Sequence, residues 1–133
     1  MLKGKSKTNI FLIVALVIII AIAKIAMMSS SSKNIDIVRN GYLESYSHMS
    51  LGEALNGYLD SPKWEEIEAD DGNKYVNISG KCFYLGNEVN VLLQYLIYED
   101  SHEFEYNALE FNDVAQDILV YEELIDDAFG VYE

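Results

Sequence analysis

The chain begins with a run of residues that has no polar face. Positions 10–28 read IFLIVALVIIIAIAKIAMM, and Lys24 is the single charged residue among them. As a helix, such a run would span about 28 Å, which is close to the apolar thickness of a bilayer. A helix on the surface of a globular domain would normally show a polar stripe. The pattern therefore predicts a transmembrane signal anchor over 10–28.

The charges beside this run predict its orientation. Lys3, Lys5 and Lys7 precede it without a neighbouring acid. The positive-inside rule then places residues 1–9 in the cytoplasm and everything after 28 outside it. A secretory signal peptide cut after Ala23 is the alternative, because small residues stand at that point. A polar linker at 29–34 leads in either case to one domain at 35–133.

Helical patterns open this domain. A helical turn or two is expected around Ile35–Arg39. Ser50 and Glu53 then form an S-x-x-E capping box, and it is followed by apolar residues at helical spacing: Leu51, Ala54, Leu55, Tyr58 and Leu59. One apolar face at this spacing predicts an amphipathic helix.

The only proline and the only tryptophan of the chain follow at once. Ser61 is a good N-cap, and Pro62 suits the first position of a helix. This pair predicts a corner and a short helical turn over PKWEEIEA. Trp64 is expected to be buried in the core, where it would join helix to sheet.

Three runs of alternating polar and apolar residues come next, at Tyr75–Tyr84, Glu88–Tyr98 and Glu103–Phe111. This alternation predicts an antiparallel meander with one dry face. Asn112 or Asp113 would cap a last helix that reaches Phe129. The expected fold is α+β: a two-layer domain in which helices pack on a three-stranded antiparallel sheet, in the order α-α-β-β-β-α.

Several motifs carry a resemblance. The stretches IVRNGYL, SLGEAL, SPKWE, YVNISGKCFY and NEVNVLLQ resemble a recurrent module of small bacterial membrane-anchored or exported proteins, over about Ile35–Phe129. No activity is attached to that family. The resemblance implies a bacterial, membrane-tethered domain, and it carries over no catalytic residue.

Acidic and basic residues are distributed unevenly along the chain. All 22 acidic residues lie at or after Asp36, whereas only five of the nine basic residues follow the apolar run. The outer part therefore carries a net charge of −17. Such a field repels nucleic acid and anionic lipid, and it attracts basic partners. We expect a protein partner, possibly basic, and no nucleic acid.

Catalytic and metal-binding patterns are missing from the sequence. His48, His102 and the single Cys82 are scattered, and nothing pairs them into a nucleophile and base or into zinc-ligand spacing. The acid-rich turns lack the spacing of an EF-hand loop. We therefore expect no catalytic residue, no cofactor and no metal, although the sequence leaves a loop-bound cation open.

The polar face of the predicted sheet also carries apolar and aromatic residues. We expect a partner surface there, formed by Phe83, Leu92, Leu96, Tyr98, Glu103 and Glu105. The leading interpretation is a non-catalytic protein-binding or assembly subunit, held in a bacterial inner membrane by a single pass. The alternatives are an acidic inhibitor or immunity protein that masks a basic partner, and a small hydrolase that uses paired carboxylates. The oligomeric state stays open.

Overall fold

The computed structural model describes residues 32–130. The predicted membrane anchor, and residues 29–31 of the linker after it, lie outside this range. The described elements are helices α1 (Lys33–Arg39), α2 (Leu51–Tyr58) and α3 (Ile118–Ala128), and strands β1 (Asp60–Glu68), β2 (Lys74–Tyr84), β3 (Asn87–Tyr98), β4 (Glu103–Phe111) and β5 (Val114–Ala115).

The prediction of a three-stranded sheet is wrong. The sheet has five strands in the order β1-β2-β3-β4-β5, and every neighbouring pair is antiparallel. The element order is therefore α-α-β-β-β-β-β-α. The three central strands fall within one residue of their predicted bounds. Both additional strands lie at the edges of the sheet.

The first additional strand was expected to be a helical turn. Pro62 and Trp64 lie in β1, which pairs with β2 from Glu68↔Lys74 to Asp60↔Lys81. A shift of register between Asp60 and Lys63 makes room for the proline, because proline cannot donate to a ladder. Ser61 has a φ of 56° and does not cap a helix.

The second additional strand replaces the expected start of the last helix. Asn112 and Asp113 both have positive φ, at 51° and 69°, and they turn β4 back into the short β5. This is the φ pattern of a type I′ hairpin. Helix α3 begins only at Ile118, where the side chain of Asp117 accepts from the amides of Leu119 and Val120.

The capping prediction for α2 agrees with the geometry. The Ser50 hydroxyl accepts from the amide of Glu53 at 3.1 Å. The helix then buries Leu51, Ala54 and Leu55 against the sheet.

All three helices contribute to one core on one face of the sheet. That core holds Ile35, Val38, Leu51, Leu55, Trp64, Val76, Ile78, Leu93, Tyr95, Leu109, Leu124, Ile125 and Phe129 among others. Trp64 is 5% exposed, and its indole nitrogen donates to Asn56 Oδ1 at 2.9 Å. The guanidinium of Arg39 lies 5.2 Å from the centroid of its ring. Trp64 thus contacts both α1 and α2 from its position in β1.

Helix α2 approaches the end of α1 closely. A Cβ placed on Gly52 would lie 2.6 Å from the backbone oxygen of Arg39 and 2.4 Å from its Cγ. Such distances are far inside van der Waals contact. Only glycine lets the two helices meet at this point.

A row of buried amides crosses the other face of the sheet. Gln94 on β3 is fully buried, and its Nε2 donates to Asn77 Oδ1 on β2 at 2.9 Å. Its Oε1 accepts from Asn107 Nδ2 on β4 at 2.7 Å. Asn107 is the extra residue of a bulge, because Gln94 pairs with Ala108 while Tyr95 pairs with Tyr106. The row therefore links three strands through side chains as well as backbone.

Candidate functional site

The two ends of the sheet differ in character, and we name them by the path of the chain. The entry end holds the start of α1, because Asn34 Nδ2 donates to Glu66 Oε2 at 3.0 Å and to Glu99 Oε2 at 2.9 Å. The far end holds the β2–β3 turn, the end of β4, β5 and the start of α3.

The six predicted partner-surface residues share one face of the sheet, but they do not form one group. Leu96 pairs with Glu105, and Tyr98 pairs with Glu103, at the entry end. The Tyr98 hydroxyl also donates to Glu105 Oε1 at 2.8 Å. Leu92 lies in the middle of the sheet. Phe83 lies at the far end, opposite Glu88.

Exposed apolar residues concentrate at the far end. Of the seven large hydrophobic residues that stand exposed in the described chain, Tyr42 and Tyr98 lie elsewhere. The other five lie in the β2–β3 hairpin, in β5 and in the first turn of α3, and we call this set of residues the far-end patch: Phe83, Leu85, Val114, Ile118 and Leu119.

Sequence reasoning missed most of this patch. It began the last helix at Asn112 or Asp113, which placed Val114 inside a helix, whereas Val114 lies in β5 and Ile118 begins α3, and both are exposed. A signal for Leu85 was present, since a two-residue turn of this kind favours Asn-Gly over Leu-Gly.

A projecting hairpin carries two residues of the patch. Strand β1 pairs with β2 only as far as Lys81, and β4 pairs with β3 only from Val91 onward. Residues 82–89 therefore form a two-stranded hairpin that extends past the neighbouring strands, with Cys82 and Val89 buried in the core at its base. Four residues of overhang correspond to about 13 Å. We call this segment the hairpin arm.

The tip of the hairpin arm combines strain with exposure. Leu85 has a φ of 52° and is 82% exposed. A left-handed backbone costs a bulky residue roughly 1–2 kcal/mol, and an exposed leucine gains nothing from burial. Phe83, on the same arm, is 69% exposed. Neither side chain serves the core of its own domain.

Acidic side chains surround the base of the arm. The Tyr84 hydroxyl donates to Glu123 Oε1 at 3.2 Å. Desolvation, together with the charges of Glu123 and Asp117, raises the pKa of Tyr84. These two carboxylates of the α3 region thus lie near the arm, which itself carries Glu88.

A different arrangement of acids occupies the entry end. Glu66 and Glu99 share the amide of Asn34, and Lys74 Nζ lies 3.3 Å from Glu99 Oε2. The hydrogen bond from Asn34 and the contact with Lys74 lower the pKa of Glu99. An open groove of about 500 Å³ lies beside Glu99 and Lys74. Glu99 is therefore held as a carboxylate, whereas hydrolysis by two carboxyl groups requires one of them to be protonated.

The remaining candidate groups lie in different elements of the fold. His48 Nε2 lies 3.3 Å from the carbonyl oxygen of Phe129, while His102 lies in the β3–β4 turn with a φ of 59°. Cys82 is buried, and desolvation raises the pKa of its thiol. Within residues 32–130, no group of three or more histidine, cysteine or acidic side chains is arranged to hold a metal ion.

One buried carboxylate has no partner for one of its oxygens. Glu110 is 5% exposed, and its Oε1 makes no hydrogen bond. Desolvation and the charge of Asp113 raise its pKa. Glu110 pairs with Ala115 of β5.

Known proteins provide no name for this arrangement. No protein family, no curated protein and no solved structure matches the chain. The resemblance to small bacterial exported domains therefore stays an expectation. Among the described residues, no helix has the length and apolar character needed to cross a membrane.

Proposed function

We propose that the chain is a membrane-tethered, non-catalytic protein-binding subunit with an acidic domain outside the cytoplasm. The far-end patch supports this most directly, because it holds five of the seven large hydrophobic residues that stand exposed in the described chain, and exposed apolar surface can mark an interaction site. The anchor predicted at 10–28 would join the domain at its entry end. The patch would then point away from the membrane, toward a partner.

The electrostatics of the entry end also favour a binding role over a hydrolytic one. The lowered pKa of Glu99 makes this residue a poor general acid. The groove beside it is bordered by acidic side chains, including Asp100 and Glu103.

Purification of the full-length chain from native membranes in mild detergent tests this proposal. We expect a partner in fixed stoichiometry with the wild type. Combined substitution of Val114→Ser, Ile118→Ser and Leu119→Ser should release that partner. The control is Tyr42→Ser, which removes an equally exposed aromatic residue outside the patch. Recovery of the wild type without any stoichiometric partner would contradict the proposal.

An acidic inhibitor or immunity protein is the second candidate. The excess of 22 acidic over five basic residues after the anchor favours it, because such a field speeds encounter with a basic target. Deletion of the gene should then sensitise the cell to a toxin encoded nearby. A deletion strain that survives exposure to that toxin as well as the wild type rules this candidate out.

A further inference from the structure

We infer that the hairpin arm, residues 82–89, is the docking element for a protein partner that presents an apolar socket bordered by lysine or arginine. This inference rests on the proposed function and names the part of the far end that makes the central contact. It draws on three features of the arm: its projection, the strain at its tip and the charges at its base.

Projection gives the arm access to a concave surface. Beyond Lys81 on one side and before Val91 on the other, no strand of the described sheet lies beside it. Cys82 and Val89 hold its base in the core, so the apolar side chains that the arm leaves exposed are Phe83 and Leu85.

The strain at Leu85 points to selection for binding. Asparagine would relieve the left-handed backbone at this turn, and it would also remove an exposed apolar side chain. Leucine is therefore less favourable than asparagine in the isolated domain, because its backbone is strained and its apolar side chain is exposed. A residue that costs stability without serving the core is expected where activity requires it.

Charge distinguishes among the possible partners of the arm. A second copy would bring another net charge of −17 against the first, and an anionic lipid surface would be repelled in the same way. Glu88, Asp117 and Glu123 lie around the arm. A rim of lysine or arginine around an apolar socket is complementary to both features.

Photocrosslinking in the full-length chain, in its native membrane, tests the assignment. Phe83→p-benzoylphenylalanine places the probe on the arm, and Tyr42→p-benzoylphenylalanine is the matched control. Both replace exposed aromatic residues, at 69% and 60% exposure. We expect one protein adduct from position 83 and none from position 42. Mass spectrometry of the crosslinked peptide should find apolar residues flanked by lysine or arginine.

A second substitution tests the role of the tip. Leu85→Asn, added to the crosslinking chain, should lower the adduct yield at least about tenfold, as expected for a central anchor. Its melting temperature should stay the same or rise, so loss of folding would not explain the loss of yield. Raised salt should also lower the yield, because the rim contacts are screened.

Each other outcome overturns the inference. An adduct of this chain with itself identifies a second copy as the partner of the arm, and an adduct with lipid identifies a membrane surface as that partner. If Leu85→Asn leaves the adduct yield unchanged, the tip of the arm is not the anchor of the contact. A further outcome is that the serine substitutions at Val114, Ile118 and Leu119 release a partner while position 83 forms no adduct. In that case the arm is not the docking element, and the proposed function stands. If neither experiment finds a partner, both are wrong.

Discussion

At the scale of single residues, two glycines of α2 show how local space decides the effect of a side chain. The sequence marks Gly52 and Gly57 as equally weakening for a helix. The structure separates them, because a Cβ on Gly52 would collide with Arg39, whereas nothing lies within 4 Å of one on Gly57.

The two alanine substitutions should therefore act in opposite directions. Gly57→Ala is expected to raise the free energy of unfolding by up to about 1 kcal/mol through helix propensity. Gly52→Ala should lower it, because α1 and α2 must separate to admit the methyl group. Urea denaturation of both variants measures the difference. Equal shifts of the same sign would show that the contact between the helices does not control stability.

The buried amide row provides a second test at this scale. Gln94→Leu keeps the size of the side chain but leaves Asn77 Oδ1 and Asn107 Nδ2 without their partner. A buried polar group without a partner costs about 1–3 kcal/mol. We expect a loss in that range by urea denaturation. Gln116→Leu, at a hydrogen bond to the backbone near solvent, is the control and should change stability little.

At the scale of elements, a cluster of tyrosines attaches α3 to the sheet. Tyr95 on β3 and Tyr121 on α3 place their hydroxyl oxygens 2.9 Å apart. The ring of Tyr106 on β4 stacks on Tyr121 at 3.9 Å between centroids. Desolvation raises the pKa of all three, that of Tyr106 to about 12. The neutral phenols are thus part of the packed interface.

The raised pKa values of these tyrosines determine how the stability of the domain changes at high pH. A raised pKa in the folded state means that the contribution of these tyrosines is complete below about pH 10, the pKa of an unfolded tyrosine. The contribution is lost as the pH rises toward 12. We expect the three phenols to ionise together with unfolding, which absorbance and circular dichroism would follow in parallel. Separate ionisation in a folded domain would contradict the packed arrangement, and Tyr121→Phe should remove one phenol from the transition.

Elements also show what the sequence could and could not predict. The three central strands were predictable because their alternation is strong and local. Strand β1 was not, because Ser61 and Pro62 suit the start of a helix as well as an edge strand, and only the pairing with β2 distinguishes them. Asn112 and Asp113 present the same ambiguity, since these residue types favour both helix caps and positive-φ turns.

The candidate site was less predictable than the fold, for a related reason. Phe83 stood out because it interrupts a polar face. Leu85, Ile118 and Leu119 are ordinary residues in the sequence, and they become notable only when tertiary structure leaves them exposed at one end. Their significance depends on the extent of neighbouring strands, which no local pattern encodes.

At the scale of the whole molecule, the proposed topology makes the described domain accessible from one side of the membrane. We expect Ser101→Cys, in the exposed β3–β4 turn, to react with a membrane-impermeant maleimide on intact spheroplasts. Cys82→Ala removes the native thiol from the background. Ser6→Cys, before the apolar run, should react only after permeabilisation. Labelling of Ser6→Cys in intact spheroplasts would reverse the proposed orientation.

The two edges of the sheet determine how the whole molecule behaves when it is crowded. Strand β1 ends the sheet on one side with Pro62, a shift of register and the charged residues Lys63 and Glu65. On the other side, β5 covers the last two residues of β4, and the bulge at Asn107 bends the rest. Neither edge presents a long, flat row of free backbone groups to the edge of a second molecule. Both edges therefore disfavour the edge-to-edge pairing of sheets that leads to fibrils.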